Sequence, residues 1–117
     1  MSTGASNKRR GAQFEIDVLK YVRSLGLPAE RLRLAGRDDE GDVVVEDVGM
    51  RYILEMKAVQ RANLTDFVRQ AQVEAGNYAK HRGLDKEKVY GVVVLKKRGA
   101  PISEAFVVTT LAEFLSV

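Results

Sequence analysis

The sequence predicts an α/β fold, a mixed β-sheet of about five strands flanked by helices, and three observations carry that expectation. Residues 11–25 and 64–82 repeat apolar side chains at the helical period. Residues 42–47 and 51–59 are short, rich in β-branched residues and separated by a turn, as in a hairpin. Residues 89–95 are apolar without alternation, as a central strand covered on both faces is. A length of 117 residues suits one domain; at that size roughly two-thirds of the unfolded surface is buried, so a core forms without staples.

Residues 1–7 are small and polar and are expected to lack fixed structure. With Lys8, Arg9 and Arg10 they make a basic arm, residues 1–10, ahead of a single domain over 11–117. In the first helix Phe14, Val18, Tyr21, Val22 and Leu25 form the apolar stripe, and Gly26 and Pro28 stop it. Glu15 lies about 70° from the centre of that stripe, so it borders the buried face. Residues 30–35 alternate polar and apolar, which predicts a short edge strand, and residues 36–41 form an acidic loop. The strand over 42–47 is centred on Val43, Val44 and Val45; after the turn at Val48, Gly49 and Met50 the strand over 51–59 returns antiparallel to it. One face of the returning strand is Tyr52, Leu54, Met56 and Ala58; the other is Arg51, Ile53, Glu55, Lys57 and Val59. The second helix carries the stripe Leu64, Phe67, Val68, Ala71, Ala75, Tyr78 and Ala79 and ends before Gly83. The unit over 51–95 is then a right-handed parallel crossover. Phe106 to Thr109 reads as a last strand, and Thr110 with Glu113 makes a capping box that opens a short helix.

Composition removes several function classes. With no cysteine there is no disulfide scaffold and no thiolate zinc site. A single histidine, His81, leaves no histidine-rich metal site. No apolar run approaches the about 20 residues of a membrane span. The first ten residues are polar and basic, without the apolar stretch of a secretory signal, so a cytoplasmic location is expected, the host cytoplasm for a phage protein. The net charge of +3 is unevenly spread: residues 1–23 carry +3, residues 80–98 carry +5, and residues 35–47 carry −5. A basic chain with one acidic island suggests a polyanionic partner and a cation site.

Glu55 and Lys57 stand two apart on one strand and project from the same face. Their strand is otherwise largely apolar, where charges are costly unless paired or bound to a metal. Asp42 lies across the predicted hairpin, at the start of the partner strand. Two carboxylates and an ammonium then converge at one sheet edge, a hard oxygen donor set that suits Mg²⁺. The triplet alone reads more simply as an edge salt bridge between Glu55 and Lys57, since ion pairs on strands are ordinary.

The order of these features resembles the PD-(D/E)xK nuclease superfamily, most closely the archaeal-type Holliday-junction resolvases and their phage relatives. The resemblance rests on Lys8-Arg9-Arg10-Gly11-Ala12-Gln13-Phe14-Glu15, Arg33-Leu34-Ala35-Gly36, Gly41-Asp42-Val43 and Ile53-Leu54-Glu55-Met56-Lys57, and spans roughly residues 8–95. It implies a restriction-endonuclease-like core and phosphodiester hydrolysis that depends on Mg²⁺, with Mn²⁺ as a substitute. It implies Asp42 and Glu55 as metal ligands, Glu15 as a further ligand, direct or through water, and Lys57 as the group that orients or activates the attacking water. It also implies a homodimer acting on branched DNA, the four-way junction above all. Two departures stand out. The archaeal resolvases carry a serine in or beside the loop before the Asp, and residues 33–41 contain none; Gly41 stands where the superfamily's name has proline.

Gln72 flanks the second helix's apolar stripe beside Val68 and Ala75 while Gln70 lies farther out, so Gln72 is the glutamine expected at the site. Tyr78 is expected in the core. His81 suits a helix C-terminus, as a structural residue or a phosphate contact. Asp38, Asp39 and Glu40 are expected as loop charges. The expected DNA contacts are Lys8, Arg9, Arg10, Arg33, Arg37, Arg61 and Arg69, with Lys96, Lys97 and Arg98 extending the basic surface. Three functions are compatible: a junction-resolving endonuclease; another nuclease of the superfamily, of flap, replication or restriction type; and a non-catalytic nucleic-acid-binding module on the same fold. The presence of all of Glu15, Asp42, Glu55 and Lys57 argues against the last.

Overall fold

The computed structural model describes residues 3–32, 39–59 and 63–115, with side chains from Gly11 onward. Helix α1 (Thr3–Ser24) leads into β1 (Ala29–Arg31), β2 (Val43–Asp47) and β3 (Met50–Lys57). Helix α2 (Leu64–His81) crosses to β4 (Val89–Leu95), and β5 (Phe106–Val108) and the short α3 (Leu111–Leu115) follow. Among the described residues the five strands form one sheet in the order β1-β2-β3-β4-β5. Every neighbouring pair is antiparallel except β3 and β4, which the α2 crossover makes parallel.

Strand alternation sorts the core into two layers. Val43, Val45, Leu54, Met56, Val92 and Val94 face α1, where Phe14 and Val18 meet them. Val44, Ile53, Val89 and Val93 face α2 and pack on Val68, Ala71, Ala75, Tyr78 and Ala79. Helix α2 sits close to the sheet because of Gly91: a Cβ there would stand 2.1 Å from the Ala71 carbonyl oxygen. The helix begins at an Asn63 cap, whose Oδ1 accepts from the Asp66 N–H at 3.2 Å. The expected Thr110 cap is present too, with Oγ1 accepting from the Glu113 N–H at 3.2 Å.

The β2–β3 turn sets the register on which the site depends. Val48 and Gly49 both have positive φ, 47° and 78°, the two-residue hairpin turn whose twist matches its strands. Val43 then pairs with Leu54, so Asp42, one residue earlier, stands opposite Glu55.

Several boundaries differ from expectation. Helix α1 starts at Thr3, so residues 3–10, expected as a disordered arm, are helical; alanine, lysine and arginine there all favour the helix. Among the described residues the edge strand covers Ala29–Arg31, residues 33–35 of the expected strand lying outside them, and β3 stops at Lys57. On the α1 side the helix contacts β1, β2 and β3. Between α1 and the C-terminal elements an apolar trough of about 500 Å³ remains, lined by residues that include Tyr21, Tyr52, Tyr90, Val107 and Phe114.

Candidate active site

The backbone fixes Asp42 first. Gly41 has φ +98°, and a Cβ on it would lie 2.5 Å from Ile53 Cγ2, so residue 41 has to be glycine. Its N–H donates to Asp39 Oδ1 at 2.8 Å. The Asp42 N–H donates to the Leu54 carbonyl at 3.1 Å, and its carbonyl accepts from the Leu32 N–H at 2.8 Å. The Met56 N–H then donates to Asp42 Oδ2 at 2.7 Å, which holds the carboxylate against β3.

Glu55 is the centre of the cluster, and only 6% of it is exposed. Its Oε1 lies 3.7 Å from Lys57 Nζ and accepts a long hydrogen bond from Gln70 Nε2 at 3.5 Å. The same Gln70 Nε2 reaches Glu74 Oε2 at 3.4 Å. Lys57 Nζ sits 4.6 Å from the centre of the Phe67 ring, which limits where the ammonium can swing. Glu55 Oε2 and Glu74 Oε1 are buried without any hydrogen-bond partner.

The electrostatics record an excess of negative charge. Burial, then the Glu55 charge, pushes the Asp42 carboxyl up to about 7; Glu15 and Asp39 add to this, and the Met56 N–H opposes it. Burial pushes Glu74 up to about 10, reinforced by Glu55 and Asp39, so Glu74 holds a proton at neutral pH. An orphaned carboxylate oxygen beside an aspartate with raised proton affinity is a place that favours a cation. The donors are hard oxygens, which fit Mg²⁺. Among the described residues no three acidic or imidazole groups stand close enough to form a closed cage.

Asp42, Glu55 and Lys57 therefore meet as the sequence suggests. Glu15 stands nearby, close enough to raise the Asp42 proton affinity, but its own Oε1 accepts from Arg31 Nε at 2.7 Å. The choice of Gln72 is corrected: Gln70 reaches Glu55, whereas Gln72 lines a groove with Leu64, Val68, Arg69 and Thr109. Gln72 lies about 140° around the helix from Phe67, while Gln70 shares the Phe67 side, over β3. Glu40, expected as a loop charge, is also corrected: it is 5% exposed and accepts from His81 Nδ1 at 2.8 Å and from Arg82. Burial alone would raise its pKa, but the Arg82 and His81 hydrogen bonds outweigh burial and hold it below the usual value. Asn77 Nδ2 donates to the Asp39 carbonyl at 2.9 Å, so residues 39–41 are latched to α2. Tyr78 is core, as expected, with its hydroxyl accepting from Arg51 Nη1 at 3.2 Å.

Arg69 is exposed and pairs with Asp66 at 3.3 Å. Lys8, Arg9 and Arg10 lie on the N-terminal turns of α1. Arg33, Arg37, Asp38 and Arg61 lie outside the described residues. The residue that sequence reasoning missed is Glu74. Its signal was present: Glu74 is three residues after Ala71 and four before Tyr78, a carboxylate inside the apolar stripe of α2.

The mixed five-stranded sheet with flanking helices is a restriction-endonuclease-like fold. No family model matches the chain, and no curated protein does. Among solved structures the chain is similar to Hjc of Archaeoglobus fulgidus, a Holliday junction resolvase from an archaeal hyperthermophile, with a TM-score of 0.53 and 21% identity over 90% of this chain and 93% of that one. At that identity the likeness establishes the fold. No described helix is long and apolar enough to cross a membrane.

Proposed function

We propose that the chain is a divalent-metal-dependent DNA endonuclease that hydrolyses phosphodiester bonds in branched DNA, with the four-way junction as its substrate. The observation that carries this reading is the cluster of buried Glu55 with half-buried Asp42 and Lys57, in which one Glu55 oxygen has no hydrogen-bond partner. The fold shared with a Holliday junction resolvase supports it. Asp42 and Glu55 would hold Mg²⁺, or Mn²⁺ in its place, with Glu15 at the border of the site. When bound, such an ion supplies Lewis acidity toward the phosphate and a nucleophile at neutral pH. The chain's own residues do the rest. Met56 and Gly41 orient the Asp42 carboxylate. Gln70 and Lys57 hold one oxygen of Glu55 and leave the other buried without a hydrogen-bond partner. Lys57 places a positive charge where the attacking water and the crowded phosphate both need one. The basic N-terminal turns of α1, with Arg33, Arg37, Arg61 and Arg69, supply phosphate contacts.

The active unit in this reading is a homodimer, because paired incisions on a branched substrate need two sites and each chain offers one. The apolar trough beside β4 and β5 is the surface that a second copy covers. Cleavage of a labelled four-way junction against a linear duplex, in Mg²⁺ and in EDTA, tests the proposal. Junction cleavage in Mg²⁺ alone is expected; inertness toward every DNA in Mg²⁺ would contradict it. Sedimentation at micromolar concentration should show a dimer, and a strict monomer with and without junction DNA would move the reading to a flap or duplex nuclease.

A further inference from the structure

Phe106 has no evident folding role. It is half-exposed on the edge strand β5, although a buried phenylalanine contributes about 2–3 kcal/mol. Its position follows from register. Lys57 pairs with Leu95 across β3 and β4, and Leu95 pairs with Phe106 across β4 and β5. Cross-strand partners share a face, so Lys57, Leu95 and Phe106 form one row on the α2 side of the sheet. Two strand spacings separate the ends of the row, about 10 Å, which is on the scale of a nucleotide from its phosphate to the far edge of its base. The Lys96 N–H donates to the Lys57 carbonyl at 2.9 Å, so the cationic turn Lys96–Arg98 starts beside the candidate active site. Lys97 Nζ lies 5.9 Å from the centre of the Phe106 ring and also pairs with Glu104 at 3.2 Å. Ala58, Val59, Leu95, Lys96, Lys97 and Phe106 line one open groove at this end of the sheet.

A half-exposed aromatic ring beside lysines, in a groove that begins at a phosphate-hydrolysing site, is the pattern that stacks an unpaired nucleobase. We propose that Phe106, with Lys96 and Lys97, forms a subsite for one unstacked base of the strand whose phosphate lies at Asp42, Glu55 and Lys57. The inference rests on the nuclease reading and deepens it. A base inside intact duplex cannot reach the ring, so the subsite favours branch points, where bases unstack at little expense. A second copy of the chain is the competing occupant. The trough proposed for that role lies on the opposite face of the sheet: Val107 lines it, and the side chains of neighbouring strand residues alternate.

The chain contains no tryptophan, so Phe106→Trp installs a single emission reporter. In EDTA, binding of a fluorescein-labelled oligothymidylate is followed by anisotropy while tryptophan emission is read on an unlabelled one. Strong quenching that saturates together with binding is expected. Phe106→Ala should weaken single-strand affinity about 5- to 150-fold, the range of one base–aromatic stack. Phe106→Leu, which keeps the apolar bulk, should lose about as much, and blunt-duplex affinity should stay at the wild-type value. Oligothymidylate binding with unmoved emission, or wild-type affinity in both variants, overturns the subsite. If wild-type protein still cuts branched DNA in Mg²⁺ in that case, the nuclease reading survives alone. Absence of any DNA binding or cleavage by the wild type overturns both. A Phe106→Ala chain that becomes monomeric while the wild type is dimeric assigns the ring to a contact between copies and overturns the subsite.

Discussion

Helix α2 buries two glutamates against the same sheet in opposite ways. Glu40, at the C-terminal end of the helix, is fully partnered: His81 and Arg82 both donate to it, and its proton affinity is held below the ordinary value. Glu74, two turns earlier, has Gln70 and the carboxyls of Glu55 and Asp39 beside it, and no cation among these partners. Its proton affinity is driven far up. Burial raises the proton affinity of both; at Glu74 it dominates and neighbouring carboxylates add to it, whereas at Glu40 the Arg82 and His81 hydrogen bonds overcome it. The Glu40 cluster has what a structural ion pair needs and anchors the loop that presents Asp42. The Glu55–Glu74 cluster is short of positive charge, which is what a site that takes a cation and a phosphate looks like before they arrive.

The largest expected effect that separates the two regions comes from Lys57→Met. The methionine keeps the stem's packing and removes the charge. Single-turnover cleavage should slow by at least about a hundredfold. Affinity for junction DNA should change little, since one phosphate contact among many is a small share of the electrostatic term. A destabilised variant that cuts at the normal rate would reduce Lys57 to a structural partner of Glu55.

Glu40→Ala should act on stability instead. It removes the carboxylate that His81 and Arg82 share, both about one-third exposed, so the loss is about 1–2 kcal/mol, less than for a fully buried pair. Its pH dependence has a definite sign. Folded Glu40 binds its proton less tightly than the unfolded 4.5, so its stabilisation is complete above that pH and is lost as pH falls through the lower folded value. Thermal melts from pH 7 to 3 should show a steeper acid loss in the wild type than in Glu40→Ala. Equal slopes would mean that the latch contributes nothing.

Glu74→Gln should act on stability in the other direction. Folded Glu74 keeps its proton up to about 10 whereas the unfolded group releases it near 4.5, so its contribution is complete below 4.5 and declines as pH rises between the two. Glutamine removes that decline. In EDTA at pH 8 the variant should melt higher than the wild type, with a flatter pH profile. A lower melting point would show that Glu74 is as well satisfied as Glu40.

Much of this contrast was legible in the sequence. Two-residue alternation placed Glu55 and Lys57 on one face, and hairpin logic put Asp42 across from them, because both are local consequences of strand geometry. Gln70 and Gln72 were misordered because flanking an apolar stripe does not reveal which flank faces β3; the packing of α2 at Gly91 decides that. Glu40 read as solvated because its partners, His81 and Arg82, are about forty residues away in sequence. Residues 3–10 continue helix α1 although their small, polar composition reads as disorder, because alanine, lysine and arginine sustain a helix.

Asp42→Asn tests the central claim most directly, because it changes one oxygen to nitrogen at the residue that Gly41 and Met56 position. The measurement is single-turnover cleavage of a labelled four-way junction in Mg²⁺, with junction affinity taken on the same preparation in EDTA. The account predicts that cleavage is abolished while affinity is kept or tightened, since a negative charge near the phosphate has been removed. Cleavage by Asp42→Asn at the wild-type rate would contradict it.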